Sequence, residues 1–364
     1  MPRRIKILYT IPNFDTAGSG KVVYDLVRGL DKTVFAPEIA CFHKSGDLFK
    51  DVERLDVPIH KLTFAQPYRP LWALPYRIYN ISKFFKQHRF DIIHSWHWSS
   101  DFTEPLAAKL AGIPFVYTKK AMGWGNKAWK WRTQLSTKVI AINIDMVNTF
   151  LQPYKSKVIY MPLGVDTNYF KPQVPNQALK EKLDIGPEDF VIITVANLVP
   201  VKGVEILLKA VRALNDPDIK LLIIGRDDND HAKALKEKYT ANTISFLGPQ
   251  HDVRPYLALS DVFVIPTKNE GRKEGLPIAP LEAMASERIV LGSRVSGIND
   301  ILKVFPEFLF EPSKIDALVE KIKDVRNISI KKRYSKSKAM RAYVEKNFDL
   351  KQCVLNHEHL YKTI

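Results

Sequence analysis

The sequence predicts an α/β protein of two doubly wound domains, and three observations support this fold class. Short apolar segments of strand length alternate with amphipathic helical segments along most of the chain, as in parallel sheets wrapped by helices. One stretch, residues 265–293, contains a complete strand, loop, helix and strand. Near the middle, residues 158–172 interrupt the alternation with prolines and a glycine, as a linker does. At 364 residues the chain is long enough to bury two cores.

The chain is strongly basic, with a formal net charge of +16 that is unevenly distributed. Residues 1–170 contain 24 Lys and Arg against 13 Asp and Glu, so the first half carries most of the excess. A basic surface attracts nucleic acid, anionic lipid or a phosphorylated substrate, and charge alone does not choose among them. No run of eighteen apolar residues occurs, so we expect a cytosolic protein without a spanning helix. Cys41 and Cys353 lack metal-ligand spacing and are predicted to be buried, reduced thiols.

The first half reads as a series of βα units. Residues 4–11, RIKILYTI, are predicted as the first strand, and the helix KVVYDLVRGL follows. Gly18 and Gly20 lie in the predicted strand-to-helix turn, where a backbone without side chains can approach a phosphate closely. The segment lacks the third glycine of a dinucleotide-binding motif and the lysine of a Walker motif. An ordinary βα turn therefore accounts for the same two glycines. Further strands are predicted at FAPEIACF, PIHKL, DIIHSWHW, IPFVYT and KVIAI.

Polar residues follow two of these strands. Parallel strands present their carboxyl ends at one edge of a sheet, so His94, His97 and Lys120 are expected on the same edge as Gly18. The spacing of the two histidines is compatible with a metal pair, but the sequence offers no third ligand nearby. We therefore expect His94 and His97 to be either pocket residues or packing residues.

Two segments of the first half contain no acidic residue, residues 61–90 and 105–144. Both combine Lys and Arg with Trp, Tyr and Phe, which is typical of a surface that touches a membrane interface. Helices whose aromatic residues face the core and whose lysines face water explain the same composition. Basic aromatic platforms also bind single-stranded nucleic acid, but no recognisable RNA or DNA module accompanies these segments.

The second half opens with a strand, a loop and an amphipathic helix that begins near Gly203. Lys202 lies just before this helix, where an ammonium group beside free N–H groups would form a diphosphate pocket. Asp228 and Asp230 have the spacing of a metal-binding D-x-D motif, but aspartates at a helix N-terminus are also ordinary caps, which we favour.

The unit at residues 265–293 carries the strongest chemical signal. The helix is predicted to start at about Pro277, which would leave the N–H groups of Gly275 and Leu276 free to bind an anion. Glu274 and Glu282 are eight residues apart, or about 12 Å along a helix axis, which matches two sugar rings that flank a diphosphate. A dipole-stabilising Glu274 and a solvated Glu282 are the structural alternative.

The complete string EGLPIAPLEAMA resembles the signature of the retaining nucleotide-sugar glycosyltransferases of the group 1 (family 4) type, which have the GT-B fold. The segment VIYMPLGVDTNYFKP is similar to the interdomain segment of that family. The resemblance implies two Rossmann-like domains that face each other across a cleft. It implies an acceptor-binding domain at residues 1–165, a nucleotide-sugar-binding domain at 166–345, and a final helix at 346–364 that crosses back to the first domain.

The resemblance also implies roles for individual residues. Glu274 would hold the hydroxyls of the donor sugar, and Glu282 those of the ribose. Lys202 and the N–H groups of Gly275 and Leu276 would bind the diphosphate, which the loop of Gly18 and Gly20 would face. Gln250 is the expected neighbour of the base. His94 and His97 would lie on the acceptor side, and Lys120 stands nearest to a family histidine that contacts the transferred sugar.

One position departs from the family pattern. The family loop before Lys202 carries an arginine that binds the diphosphate, whereas this chain has Asn197. An asparagine donates hydrogen bonds but has no charge. Either another cation, such as Lys120, compensates for this change or the affinity for the donor is reduced.

These inferences together predict a metal-independent, retaining hexosyltransferase without a cofactor. We expect it to move a sugar from a nucleotide-sugar donor to a glycan or lipid-linked acceptor in bacterial envelope or capsular polysaccharide biosynthesis. It would be cytoplasmic, with reversible contact to the anionic inner face of the plasma membrane, and would not bind nucleic acid. A catalytically silent nucleotide-sugar-binding protein and a sugar-nucleotide epimerase of the same fold are the alternatives.

Overall fold

The computed structural model describes residues 3–15, 17–271 and 275–364. The chain forms two compact units. Unit 1 comprises Met1–Leu163 together with Lys351–Ile364, and unit 2 comprises Gly164–Leu350. The predicted boundaries after residues 165 and 345 lie two and five residues from those of the units.

Unit 1 contains a seven-stranded sheet in which all strand pairs are parallel and the order is β3-β2-β1-β4-β5-β6-β7. Its strands are β1 Ile5–Thr10, β2 Phe35–Cys41, β3 Ile59–Lys61, β4 Ile92–Ser95, β5 Phe115–Lys119, β6 Lys138–Ala141 and β7 Val158–Tyr160. The segment predicted as a linker therefore begins with a strand of this sheet.

The helices of unit 1 alternate with these strands along the chain. They are α1 Ala17–Gly29, α2 Phe49–Glu53, α3 Leu74–Gln87, α4 Thr103–Ala111, α5 Ala128–Leu135 and α6 Ile144–Asn148, with short 3₁₀ turns at Leu71–Ala73 and Gln152–Tyr154. The last helix of the chain, α15 Leu350–Thr363, also packs in unit 1. Its Tyr361 hydroxyl lies 2.9 Å from the Tyr9 hydroxyl of β1 and 2.6 Å from Nδ1 of His94 in β4.

Unit 2 contains a six-stranded parallel sheet of order β10-β9-β8-β11-β12-β13. The strands are β8 Phe190–Val195, β9 Ile219–Ile224, β10 Ile244–Phe246, β11 Val262–Ile265, β12 Ile289–Ser293 and β13 Leu309–Phe310. The helices are α7 Gln177–Lys182, α8 Val204–Leu214, α9 Asp230–Tyr239, α10 Arg254–Leu259, α11 Ala279–Ala285, α12 Ile298–Ile301, α13 Ile315–Asn327 and α14 Ile330–Asn347, with 3₁₀ turns at Pro200–Lys202 and Pro306–Phe308.

Two predicted helix starts are wrong. Helix α11 begins at Ala279, so Pro280 rather than Pro277 occupies its first turn, and Pro277 lies in the preceding loop. Proline suits either position, which is why the sequence did not separate them. Helix α1 begins at Ala17, so Gly20 lies within the helix, although the helix is kinked at Gly18, whose φ and ψ are not helical.

Two further predictions concern burial and membrane spans. Cys41 and Cys353 are buried free thiols, as expected. Among the described residues, every helix is too short or too polar to cross a bilayer.

Candidate functional site

The loops that follow β8 and β11 meet at the carboxyl edge of the sheet of unit 2. Gly203 has φ +68°, and a Cβ atom there would lie 1.9 Å from the carbonyl oxygen of Pro266. Only glycine allows this approach, because every other residue carries that atom. The Lys268 N–H donates to the Val201 carbonyl at 2.9 Å and joins the same two loops. The start of α8 is thereby fixed beside the end of β11.

The loop after β12 reaches the same edge through a second glycine. Gly297 has φ +81°, and a Cβ atom there would lie 2.0 Å from the carbonyl oxygen of Gly275. Gly275 is buried and stands four residues before α11. The two glycines therefore bring the loops after β8, β11 and β12 together.

A small pocket lies between the loops after β11 and β12. It is lined by Thr267, Lys268, Asn269, Pro277, Val295, Ser296 and Ile298. Thr267 is buried, and its hydroxyl has no hydrogen-bond partner among the residues that the structure describes. Since a buried hydroxyl is normally satisfied, this atom is suited to bind a ligand group. The sequence prediction missed Thr267, although three polar residues directly after a buried strand are a usable signal.

Three of the predicted donor-binding residues, Lys202, Gly275 and Leu276, lie around this edge. Lys202 is half-buried at the end of the 3₁₀ turn before α8, as expected. Leu276 is buried next to Gly275. Glu274, predicted to hold the donor sugar, lies outside the described residues.

Glu282 lies in the first turn of α11 and is half-buried. Its negative charge reaches Tyr169: burial is the main cause of the raised pKa of Tyr169, followed by the charges of Asp252 and then, among others, Glu282. Arg254 stacks on the ring of Tyr169 at 3.6 Å from its centroid and binds Asp252 through Nε and Nη2. Glu282 therefore shares its surroundings with an aromatic and a cationic side chain.

Gln250 lies in the loop after β10, and its amide is held at both ends. Nε2 donates to the Leu247 carbonyl at 2.7 Å, and Oε1 accepts from the Tyr256 hydroxyl at 3.0 Å. Asn197, after β8, is exposed, and its Oδ1 accepts from the Arg226 N–H at 3.4 Å. Both side chains contact backbone groups of their own unit.

Gly18 and Gly20 of unit 1, both predicted to face a phosphate, differ in the space around them. Gly18 has open space where a Cβ atom would lie. At Gly20 a Cβ atom would lie 3.1 Å from the Phe14 ring and 3.2 Å from Leu48. The missing side chain of Gly20 is thus used for packing, and Gly18 is the position open to a ligand.

The two histidines are packing residues in this structure, which was one of the two expected roles. His94 is fully buried, and its Nδ1 and Nε2 lie 2.6 Å and 2.9 Å from the hydroxyls of Tyr361 and Thr118. Burial holds the pKa of His94 well below its usual value. Burial, together with Arg132 and Lys120, lowers the pKa of His97 to about 3. Both rings are neutral at physiological pH.

A buried ion pair at the carboxyl edge of the sheet of unit 1 was not predicted. Arg132 and Glu104 are both fully buried, and their charged groups lie 2.8 Å apart. Arg132 also donates to the Ser95 hydroxyl at 2.7 Å and to the Asp101 carbonyl at 2.6 Å. Burial raises the pKa of Glu104, and the guanidinium opposes this rise. The pair ties α4 and α5 to the end of β4.

Lys120 follows β5 on the same edge. Its Nζ donates to the Trp96 carbonyl and lies 5.2 Å from the centre of the Trp98 ring. The lysine is therefore oriented by a tryptophan and a backbone carbonyl.

Among the residues of unit 1 that the structure describes, two groups of side chains come close enough to hold a metal ion, with the ligand atoms of each group within 4.8 Å of one another: Glu38 with His60 and His88, and His97 with Asp101 and Glu104. Each group already contains a cation. Lys6 Nζ lies 2.8 Å from Glu38, and Arg132 binds Glu104. A protein cation competes with a metal for these oxygens, so we interpret both groups as ion-pair networks. Metal independence remains a prediction.

Solved structures resemble the whole chain. A glycosyltransferase from Rickettsia africae covers 99% of this chain and 98% of its own, with a TM-score of 0.87 and 20% sequence identity. Anabaena HepE in complex with UDP and glucose covers 99% and 100%, with a TM-score of 0.84 and 18% identity. These similarities establish the fold.

Curated relatives match at higher identity. A UDP-Gal:alpha-D-GlcNAc-diphosphoundecaprenol alpha-1,3-galactosyltransferase of Escherichia coli is 28% identical over 268 residues, which span 66% of this chain and 67% of the relative. A putative teichuronic acid biosynthesis glycosyltransferase of Bacillus subtilis is 25% identical over 327 residues, 81% of this chain and 80% of the relative.

Two family models together match most of the sequence. The model described as glycosyltransferase family 4 matches residues 16–169, which lie largely in unit 1. The model described as glycosyl transferases group 1 matches residues 175–346, all within unit 2. The two parallel-sheet units, the match of both models and the similarity to solved glycosyltransferases agree with the sequence signature, and the chain therefore belongs to the group 1 glycosyltransferases of the GT-B fold.

Proposed function

We propose that this protein is a retaining glycosyltransferase that transfers a sugar from a nucleotide diphosphate sugar to a glycan or lipid-linked acceptor. The process would be bacterial envelope or capsular polysaccharide biosynthesis on the cytoplasmic side of the membrane. The observation that carries the proposal is the convergence of three loops at the carboxyl edge of unit 2. Ligands of open α/β sheets bind at this edge.

The main requirement of this reaction is to stabilise the negative charge on the leaving diphosphate. Lys202 and the N–H groups of Gly275 and Leu276 would bind the diphosphate and stabilise the negative charge that develops on it. Glu282 would hold the ribose hydroxyls, and Glu274 those of the donor sugar. With retention, the leaving diphosphate would take the proton of the acceptor hydroxyl on the same face, so no metal or cofactor is required.

The relatives support the substrate classes. The Escherichia coli relative is named for a UDP-sugar donor and a diphosphoundecaprenol-linked acceptor. Another relative, from Staphylococcus aureus, is named for capsular polysaccharide biosynthesis. Anabaena HepE was solved with UDP and with UDP-glucose. We therefore expect a nucleoside diphosphate to bind unit 2.

Two glutamate variants test the division of roles. Glu282→Ala should weaken the binding of free nucleoside diphosphate, because it removes the ribose contact, whereas Glu274→Ala should mainly lower turnover of the complete donor. Isothermal titration with UDP, GDP and ADP measures the first effect, and product formation measures the second. Glu237→Ala, an exposed glutamate on α9, is the control. Equal loss of nucleotide binding in the two variants would refute the assignment.

A silent nucleotide-sugar-binding protein is the second candidate, and Asn197 is the observation that favours it. If Lys120 offsets the missing charge, Lys120→Ala should weaken donor binding and turnover, and unchanged values would exclude that compensation. A protein that binds nucleoside diphosphate tightly but neither transfers nor hydrolyses any donor would support the silent alternative.

Reversible contact with an anionic membrane is also part of the proposal, and an exposed face of unit 1 supports it. Trp72, Tyr76 and Tyr79 are 84%, 69% and 56% exposed. With the exposed Lys83 and Lys86 they follow one another at spacings of four and three residues, which places them on one side of α3 and the turn before it. The opposite side, with Ile78, Ile81 and Phe85, is buried. The solvent-exposed side of α3 and of the turn before it therefore consists of aromatic rings and lysines.

The second acid-free segment joins this face. The ring of Phe102 lies 6.2 Å from that of Tyr68 and 5.3 Å from that of Trp131, so aromatic contacts link the α3 region to α5. Lys127, Lys130 and Trp131 are exposed. We call this set the aromatic-basic face: Tyr68, Leu71, Trp72, Tyr76, Tyr79, Lys83, Lys86, Phe102, Lys127, Lys130 and Trp131. Exposed tryptophan and tyrosine beside lysine suit the headgroup region of an anionic bilayer.

Vesicle flotation tests this contact. Each lysine near an anionic surface contributes about 1 kcal/mol, so the charge reversals Lys83→Glu, Lys86→Glu, Lys127→Glu and Lys130→Glu together should abolish binding to phosphatidylglycerol vesicles at low salt. Trp72→Ala with Tyr76→Ala should weaken it without altering the fold, since both rings are exposed.

The matched controls lie on α14 of unit 2. Tyr334 is 54% exposed, and Lys331 and Lys332 are exposed, so Tyr334→Ala and the reversal of both lysines should leave flotation unchanged. Absence of wild-type flotation, or equal effects of the two sets, would contradict membrane contact. Salt-sensitive oligonucleotide binding by the same face would instead indicate nucleic acid.

A further inference from the structure

We propose that Arg226 supplies the diphosphate-binding charge that position 197 lacks. This inference rests on the proposed function and adds a donor-binding residue in the loop after β9. Its basis is the way in which this loop is paired with the loop after β8.

The parallel pairing of β8 and β9 continues beyond the ends of both strands. The register aligns Val195 with Ile224. The Ala196 N–H donates to the Ile224 carbonyl at 2.9 Å, and the Leu198 N–H donates to the Arg226 carbonyl at 2.9 Å. The same register therefore places Arg226 directly beside Asn197.

Two further contacts hold the two positions together. The Asn197 side chain accepts from the Arg226 N–H at 3.4 Å. Gly225 has φ +148°, and a Cβ atom there would lie 1.9 Å from the Ala196 carbonyl oxygen, so the backbones approach as closely as glycine permits. Position 197 and Arg226 therefore lie side by side just beyond the carboxyl ends of β8 and β9.

Two of the three aspartates that follow Arg226 are paired with lysines. Asp227 pairs with Lys236 at 2.5 Å, and Asp230 pairs with Lys233 at 3.5 Å, while Asp228 is exposed. Lys202 lies in the β8 loop, whose Val201 bonds to the β11 loop, so Lys202 and Arg226 approach from opposite sides of β8. Arginine binds diphosphate oxygens through two parallel hydrogen bonds, which a lysine does not provide.

A charge-relocation experiment tests the inference. Arg226→Ala should weaken the binding of the nucleoside diphosphate that binds the wild type by about 10- to 100-fold, the range for a lost hydrogen bond to a charged group. Binding of the corresponding nucleoside, which lacks phosphate, should change less than twofold. Adding Asn197→Arg to Arg226→Ala should restore most of the diphosphate affinity. Arg212→Ala, at an exposed arginine of α8, is the control and should have no effect.

The outcomes separate this inference from the proposed function. If the wild type binds none of UDP, GDP and ADP, the proposed function fails. If the wild type binds one of them and Arg226→Ala binds it equally well, only the role of Arg226 is refuted. An equal loss of nucleoside and diphosphate binding would indicate a structural role and overturn the inference, as would a double variant in which Asn197→Arg restores nothing.

Discussion

Replacement of Gly203 by alanine tests whether the loops after β8 and β11 must touch. The new Cβ atom would lie 1.9 Å from the Pro266 carbonyl oxygen, whereas such contacts are normally longer than 3.0 Å, so one loop must move by more than 1 Å. Alanine at φ +68° also adds strain of about 1–2 kcal/mol. Forced displacement in a packed region adds about 1–3 kcal/mol, for an expected loss of about 2–5 kcal/mol in the free energy of unfolding.

Gly248 provides a matched control in the same unit. It has φ +66°, but the nearest atom to its Cβ position, an Asp227 carboxylate oxygen, is at an ordinary 3.8 Å. Gly248→Ala should therefore cost only the strain, about 1–2 kcal/mol. Chemical denaturation of the two variants measures the difference, and titration with nucleoside diphosphate measures the effect on the edge that carries Lys202. The reasoning is refuted if the two variants are equally stable, or if Gly203→Ala binds nucleotide like the wild type.

The remaining predictions concern unit 1. Arg132→Met should destabilise the protein by about 3–5 kcal/mol in urea denaturation, because Glu104 is left buried without its partner. Adding Glu104→Gln to this variant should recover part of the lost stability. An Arg132→Met variant as stable as the wild type would contradict the role of the pair. Burial is the main cause that lowers the pKa of His97 to about 3 and that of His357, in α15, to about 4, against about 6.5 in the unfolded chain. Both rings must therefore stay neutral in the folded protein, so its free energy of unfolding is highest above pH 6.5. Below that pH each histidine should lower the free energy of unfolding by about 1.4 kcal/mol per pH unit. Unfolding curves between pH 4 and 7 measure this slope, and His97→Gln should reduce it. Tyr361→Phe should cost about 1–3 kcal/mol, because Tyr9 and His94 lose the hydroxyl that joins them, whereas Tyr334→Phe should cost nothing measurable.

The sequence was sufficient for the fold class because the evidence is local. Alternating apolar strands and amphipathic helices appear as residue periodicity, and both observed sheets are parallel as this pattern predicts. The family signature was equally local, since EGLPIAPLEAMA is a continuous string. Boundaries were less certain, as the start of α11 illustrates: Pro277 and Pro280 both satisfy the preference of a first helical turn.

The environment of single residues depends on distant parts of the chain, and the sequence did not reveal it. His94 follows the pattern of an edge residue, but Tyr361, 267 residues away, covers its ring. The pairing of Arg132 with Glu104 and the approach of Gly203 to Pro266 likewise join separate elements. The position of Arg226 beside Asn197 became visible only from the register of two strands. Roles that depend on such contacts required the structure.

Helix α15 belongs to unit 1 but is synthesised after unit 2, which affects the order in which the two units can fold. Unit 2 is an insertion between the body of unit 1 and this helix, and its ends lie side by side: the Val165 N–H donates to the Phe348 carbonyl at 2.8 Å, and the Leu350 N–H donates to the Val165 carbonyl at 2.9 Å. During synthesis, the first sheet leaves the ribosome without the helix that supplies Tyr361. Unit 2 can fold once its two ends are paired, whereas His94 and Tyr9 have no Tyr361 hydroxyl to bind until α15 has been synthesised. Completion of unit 1 thus follows the synthesis of unit 2, and a nascent chain in which unit 2 misfolds would leave unit 1 unfinished as well.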